Sequence, residues 1–287
     1  MKKTISILSF IAFAFSSIAQ DSSKTFHFSV GLGFMPVPMI SITGIDTSYN
    51  NSLSIAPVLD IRNNNGFGIS YSPKFLAGGP SAGIYAHQVI VGLESYNKEL
   101  FDVVADYSHY FFTGNIGIPS SPITNELYFS STYKKPWVMP TLTLGYGFGT
   151  LKTAQTSKAV NDVNVSAGVS HVFQKEISDA TLSLVPELKL NAGTNEYFSL
   201  LRSSRYISAN KNYNKIVKRK KRNGSVIVAN TQVNKKSFSL SNAEAELQGS
   251  FEKGSFSVRP GVSMFVPFSS GDNAVSLIWQ IEMRYSF

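Results

Sequence analysis

The sequence predicts an all-β chain closed into a single antiparallel transmembrane barrel of about twelve strands, with short turns at one end and long loops at the other. Three observations predict it. Apolar residues recur at every second position in segment after segment, the period of a strand with one greasy face. Only 15% of the 287 residues are charged, against 21 Phe and 13 Tyr, whereas a soluble domain carries about a quarter charged residues. Beyond the first twenty residues no apolar run reaches the roughly 18–20 residues that a spanning helix needs. A chain this poor in charge, with mean hydropathy near zero, suits a barrel that shows lipid only alternate side chains.

The strands follow in order from the alternation. Phe26, Phe28, Val30, Leu32 and Phe34 mark the first; Leu53, Ile55, Leu59 and Ile61 the second, ending at the tight-turn signal Asn63-Asn64-Asn65-Gly66. Phe67, Ile69, Tyr71 and Phe75 form the third, Val89, Val91 and Leu93 the fourth, and Phe101, Val103, Ala105, Tyr107 and Phe111 the fifth. A weak sixth (Leu127, Phe129, Tyr133) precedes a seventh (Val138, Leu142, Leu144, Tyr146, Phe148). Val163, Val165, Ala167, Val169 and Phe173 give the eighth; Leu182, Leu184, Leu188 and Leu190 the ninth. Ala243, Ala245, Leu247 and Phe251 form the tenth; Phe256, Val258, Val262, Met264, Val266 and Phe268 the eleventh. The twelfth is 275–287, VSLIWQIEMRYSF, apolar at every odd position, with Ile278 alone out of phase.

Parity supports twelve. Connections 63–66, 97–99, 134–136, 174–179 and 252–254 all fall at one end and are short. At the other end 35–52, 77–85, 113–123, 150–159 and 193–237 are longer, and 269–274 is brief. Without the weak sixth strand the two termini would disagree about which end is which. Five prolines (Pro57, Pro73, Pro140, Pro186, Pro260) fall inside these strands on the apolar face. Proline cannot donate to a ladder, so the barrel must bulge or break its pairing there.

The terminal segment, closing on Phe287, resembles the C-terminal targeting strand of Gram-negative outer-membrane β-barrel proteins. The other end agrees with that resemblance: Lys2 and Lys3, an apolar stretch from Ile5 to Ile18, and Ser17-Ile18-Ala19 before Gln20 read as a secretory leader at 1–19, leaving a barrel over 20–287. The resemblance implies an outer-membrane location and insertion by the barrel-assembly machinery, with Trp279, Tyr285 and Phe287 as the insertion signal. It identifies no particular transporter. Trp137, Tyr133 and Tyr285 are expected in the girdle at the short-turn end, and Trp279 nearer the outer one. The chain has no cysteine, which excludes a lipid-anchored lipoprotein, a disulfide-stapled domain and a thiolate metal site.

The net charge of +8 is concentrated. Eleven of the 26 basic residues lie between Arg202 and Lys236 with no acid among them, and two more sit in the leader, leaving 13 against 18 acidic residues elsewhere. The topology makes 202–236 the longest outer loop, a basic extracellular element centred on Lys215, Lys218, Arg219, Lys220, Lys221 and Arg222. Its chemistry fits the phosphates of lipopolysaccharide, or an acidic glycan; as a bland alternative it is a solvated loop on an anionic surface. An exported chain has no call for nucleic acid.

The polar register points inward and nominates pore-lining residues Asp60, Arg62, Lys74, Glu94, Asp102, Asp106, Glu187, Lys189, Glu244, Glu246, Arg259, Glu282 and Arg284. Gly31, Gly33, Gly68, Gly92, Gly145, Gly147, Gly168 and Gly261 share that face and are expected to leave space. Pairs of Glu282 or Glu246 with Arg259 or Arg284 would close the lumen instead. Catalysis finds no support: His27-Phe28-Ser29 has a His–Ser spacing used by outer-membrane lipid hydrolases, but the phase turns both inward, and Ser108-His109 and Ser170-His171 split across the sheet. Four dispersed His make no metal cluster, and no cofactor motif occurs. The expectation is a non-enzymatic, narrow or weakly selective pore for small solutes. A surface-interaction or structural barrel acting through the basic loop is the alternative, and a lipid-modifying hydrolase the least favoured.

Overall fold

The computed structural model describes residues 26–43, 46–78, 82–96, 99–113, 121–152, 156–194, 238–268 and 276–287, of which 37–43, 46–51, 267 and 276 are described by backbone alone. The leader expected at 1–19 and the basic loop expected at 202–236 lie outside the described residues. The rest is strand: β1 (Phe26–Thr43), β2 (Asp46–Asn63), β3 (Phe67–Ala77), β4 (Gly83–Ser95), β5 (Phe101–Phe112), β6 (Ile123–Tyr133), β7 (Met139–Lys152), β8 (Ser157–Ser170), β9 (Phe173–Ile177), β10 (Ala180–Gly193), β11 (Ser239–Lys253), β12 (Phe256–Pro267) and β13 (Ser276–Ser286).

Twelve of these close into one antiparallel ring. β1 to β8 pair in sequence, β8 passes to β10, β10 to β11, and β13 returns to β1 with Ser29 opposite Ser286 and Phe34 opposite Ile281. β9 stands outside the ring. It continues the line of β8 and pairs only with the first residues of β10, so the turn expected at 174–179 tightens to Ser178–Asp179, where Ser178 takes φ 56°. The outer connection expected at 35–52 is also revised. β1 and β2 remain paired up to Thr43 opposite Asp46, a two-stranded arm rising above the ring. Pro36 and Pro38 are tolerated there because they lie beyond the last pairing with β13, on an edge that asks for no donor.

Burial is inverted relative to a soluble protein. The withdrawn residues are largely polar (Asp60, Lys74, Gln88, Glu126, Asp162, Asn191, Glu244, Glu246), while large apolar side chains such as Phe67, Leu127, Leu144, Leu188 and Met264 are exposed. Period two causes this: in a closed sheet one register faces the lumen and the other the surroundings, and an apolar exterior band is what lipid accommodates. Aromatic contacts flank the band at the short-turn end, with Phe101 against Tyr133 at 5.0 Å and Tyr285 against Phe287 at 5.0 Å between ring centroids.

The prolines sit where a ladder stops. Pairing between β2 and β3 lapses between Ile55–Phe75 and Leu59–Tyr71, the gap in which Pro57 and Pro73 face each other. Between β11 and β12 it lapses beside Pro260, across from Gly249, where an added Cβ would lie 3.2 Å from the Pro260 ring. Pro186 lies opposite the break between β8 and β9, accepting the His171 N–H at 3.2 Å. Pro140 is the second residue of β7, beyond the end of its ladder with β6. The missing donors therefore fall where a ladder lapses or has ended.

Candidate functional site: the barrel interior

The inward register assembles three chemically distinct patches. Toward the short-turn end Arg62 is a hub. Its guanidinium donates to Glu94 Oε1 at 2.6 Å, to Asp60 Oδ2 at 3.1 Å, to Ser70 Oγ at 3.3 Å and to the Gly66 carbonyl at 3.2 Å. Ser70 in turn donates to Asp60. Glycine lets this fork lie flat against the wall. A Cβ on Gly68 would meet the Ile61 carbonyl at 2.2 Å and the Arg62 stem at 2.4 Å, and one on Gly92 would meet the Ala105 carbonyl at 2.4 Å. The sequence expectation that these glycines enlarge the lumen is corrected here: they permit close backbone approach beneath a charged side chain.

Further round the wall, on β10 and β11, Lys189 holds three carboxylates. Its Nζ lies 3.0 Å from Glu187, closer still to Glu246, and 3.7 Å from Glu244 Oε1. Gln248 donates to Glu246 at 2.6 Å, and Asn191 donates to Glu244 Oε2 at 3.0 Å and to Asn242 at 2.8 Å. Opposing strands carry a ladder of hydroxyls, Ser130 with Thr143 at 3.1 Å and Thr132 with Thr141 at 2.9 Å. Between these walls lies a cavity of about 570 Å³ bordered by Lys189, Glu187, Glu246, Tyr128, Thr143 and Gln280, among others.

At the long-loop end the wall becomes apolar. Leu76, Tyr85, Ala86, Tyr110, Phe265 and Ile278 form one buried cluster, with Met35 and Phe112 packed against it. They face inward on β1, β3, β4, β5, β12 and β13, all by parity except Tyr85, which a register irregularity turns to the same side as Ala86. The two tyrosines find polar partners: Tyr85 OH is 2.9 Å from Ser54 Oγ, and Tyr110 OH donates to Glu126 at 2.9 Å while Gln88 approaches it at 3.2 Å.

The nominated residues share one face but not one network. Asp60, Arg62 and Glu94 are bonded together; Arg284 pairs with Glu282 at 2.8 Å; Asp102 pairs with Lys134 of the following turn at 2.8 Å; Lys74 is buried on β3; and Asp106 shares the inward register, opposite Gly92. Of the closing pairs expected, Glu282 with Arg284 forms. Glu246 instead takes Lys189, its neighbour across the β10–β11 ladder, and Arg259 takes Glu252 at 3.2 Å at the exposed rim. Glu246 and Lys189 lie diagonally across the β10–β11 ladder, whereas Arg259 turns to Glu252 although Glu282 lies directly opposite it on β13.

Sequence reasoning missed the apolar patch and the buried acids Glu126 and Asp162. One signal was present: Ile278, the residue that broke the alternation of the last strand, is 4% exposed inside this cluster. The histidines that turn outward bond to polar neighbours, His87 to Tyr71 OH at 2.7 Å, His109 to Asn125 at 2.7 Å and His171 to the Trp137 carbonyl at 2.5 Å. Ser29 is buried and His27 exposed at the strand end. Among the described residues no group of three or more His, Asp or Glu could hold a metal ion.

No family model matches the chain, and no curated protein matches it in sequence. Solved structures of similar arrangement are outer-membrane β-barrels. They include a KdgM porin (11% identity, 90% of this chain and 99% of that one, TM-score 0.44) and the translocator domain of the autotransporter NalP from Neisseria meningitidis (10%, 100% and 97%, TM-score 0.46). OccAB1 of Acinetobacter baumannii is a third (10%, 89% and 70%, TM-score 0.31).

Proposed function

We propose that this barrel resides in a bacterial outer membrane and carries a narrow, weakly cation-preferring path for small solutes. The observation that carries the reading is the charge of the inward register. Asp60, Glu94, Asp102, Asp106, Glu126, Asp162, Glu187, Glu244, Glu246 and Glu282 face Arg62, Lys74, Lys134, Lys189 and Arg284, while Glu252 and Arg259 offset each other at the rim. Low-dielectric walls lined by one sign of charge concentrate counter-ions. An apolar exterior with a hydrated, charged interior is the arrangement of a barrel that passes polar solutes through lipid. The short-turn end faces the periplasm, and the basic residues of 202–236 meet lipopolysaccharide phosphates outside. The barrel-assembly machinery inserts the chain through its terminal strand.

A second reading, a closed structural barrel acting through its basic loop, draws on the apolar cluster of Tyr85, Tyr110 and Phe265, because an apolar constriction excludes water. Single-channel recording in planar bilayers under a potassium chloride gradient separates the two. Discrete steps with a reversal potential of the sign expected for potassium preference support the pore. Silence at all voltages, from protein that shows heat-modifiable mobility on a gel, overturns it in favour of the scaffold.

A further inference from the structure

We infer that β9 is a docking edge for an extended, acidic peptide segment of a periplasmic partner. The inference rests on the short-turn end facing the periplasm and is independent of conduction. β9 bonds to β10 on one side, Phe173 opposite Leu184 through Ile177 opposite Ala180. On its other side the ladder from β7 has already ended, at Met139 opposite Ser170. All five residues, Phe173 to Ile177, are exposed. In a hairpin closed by two residues, the pair flanking the turn is hydrogen-bonded and alternate residues follow suit. The His171 N–H bonded to Pro186 keeps the same phase. Phe173, Lys175 and Ile177 therefore spend their backbone groups on β10, and Gln174 and Glu176 aim theirs outward at the open edge.

This edge is a firm platform. Behind it β10, β11 and β12 remain laddered to their turn ends, Ala180 opposite Lys253 and Lys253 opposite Phe256. At the membrane end of the edge stands Trp137, 72% exposed, its ring 4.3 Å from His171, which packs edge-on to Phe173 at 4.5 Å. That aromatic corner offers one apolar side chain of an added strand a seat. Proteins normally blunt such an edge or use it.

Charge selects the occupant. The acids nearby are engaged: Asp179 with Lys253 at 3.0 Å, and Glu176 with Gln174 and Thr181 at 2.9 and 2.8 Å. Lys175, on the edge strand itself, and Lys135, in the turn that carries Trp137, are exposed and favour a peptide carrying Asp or Glu. A second copy fits less well. Inserted the same way round, it would bring its own β9 alongside in parallel, the weaker pairing.

The test uses the purified full-length barrel in detergent and a fluorescent, end-capped nonapeptide alternating Val with Asp or Glu, with a Val/Lys peptide as control. Anisotropy should show the acidic peptide binding and the basic one not. Glu176→Pro, which removes an outward N–H and none used by β10, should weaken binding at least tenfold with heat-modifiable mobility retained. Lys135→Glu with Lys175→Glu should weaken it several-fold. Equal binding to the Glu176→Pro barrel, equal binding of the basic peptide, or no binding at all overturns the proposal. So does disulfide-linked dimer formed by Gln174→Cys in liposomes, which would give the edge to a second copy. A conducting barrel that binds no peptide refutes the docking edge alone; a silent one that binds refutes the pore alone.

Discussion

Two neighbouring stretches of the inner wall are held together by opposite means. On β10 and β11, Lys189 gathers Glu187, Glu244 and Glu246; on β12 and β13, Phe265 and Ile278 pack against Leu76, Tyr85 and Tyr110. The frontier between them is a single cross-strand pair, because Glu244 on β11 lies directly opposite Phe265 on β12. The ring therefore buries a carboxylate against an aromatic side chain, with the Lys189 ammonium and the Asn191 amide as its compensation. Removing one partner of a buried ionic set leaves uncompensated charge, whereas trimming an apolar packer leaves only space. The ionic patch should be the less forgiving of the two.

The largest expected effect follows directly. Lys189→Met should destabilise the barrel by about 3–5 kcal/mol, as breaking buried ion pairs does, read as a lower urea midpoint for unfolding from liposomes. Lys189→Arg should recover most of it. Phe265→Ala comes next, at about 2–4 kcal/mol for a large-to-small change in a packed cluster. It should also admit water beside Glu244 and raise single-channel conductance. If the lysine variant proved harmless and the phenylalanine one severe, the apolar patch would be the structural keystone. Arg284→Gln touches a part-exposed pair with Glu282 and should cost no more than about 1 kcal/mol, while shifting the reversal potential further toward cations.

The contrast also explains what the sequence made legible. Strand identity, the ring of twelve and the inward register are written in a period of two, which survives residue by residue. Partner choice is not, since it depends on which strands are neighbours and how they are staggered. Arg259 on β12 is also one strand from Glu246, but Glu246 faces Ser263, four residues from it, whereas Lys189 faces Glu244, only two residues from Glu246. The apolar patch was hidden for a related reason. Leu76, Tyr85 and Phe265 sit on inward positions of strands whose outward positions are also apolar, so composition does not tell the faces apart. At Tyr85 the phase itself shifts, because an irregularity beside Lys74 and Phe75 turns Tyr85 and Ala86 to the same side. Prolines announced that pairing would fail, but only the register shows Pro57 facing Pro73 across one shared gap. The β1–β2 arm was missed because the apolar alternation that marks the ring strands does not run through 35–52.

The smallest effect lies outside the wall, where the β9 hairpin offers a charged group with neither an aromatic neighbour nor a buried cation. Hydrogen bonds donated by Gln174 and Thr181 hold the Glu176 carboxyl below the ordinary glutamate range. A depressed carboxylate stabilises the fold above its unfolded value and loses that contribution as pH falls through the folded one. The group is fully exposed, so solvent screens it and only the local hairpin should respond. Amide hydrogen exchange along 173–184, corrected for intrinsic rates, should hold steady from neutral pH down to the ordinary glutamate value and quicken modestly below it. Glu176→Gln should flatten that dependence without altering exchange in β10 beside Lys189. If exchange at the ionic patch moved in step with the hairpin, the two regions would be one cooperative unit, and the ring would not end where its ladder with β7 does.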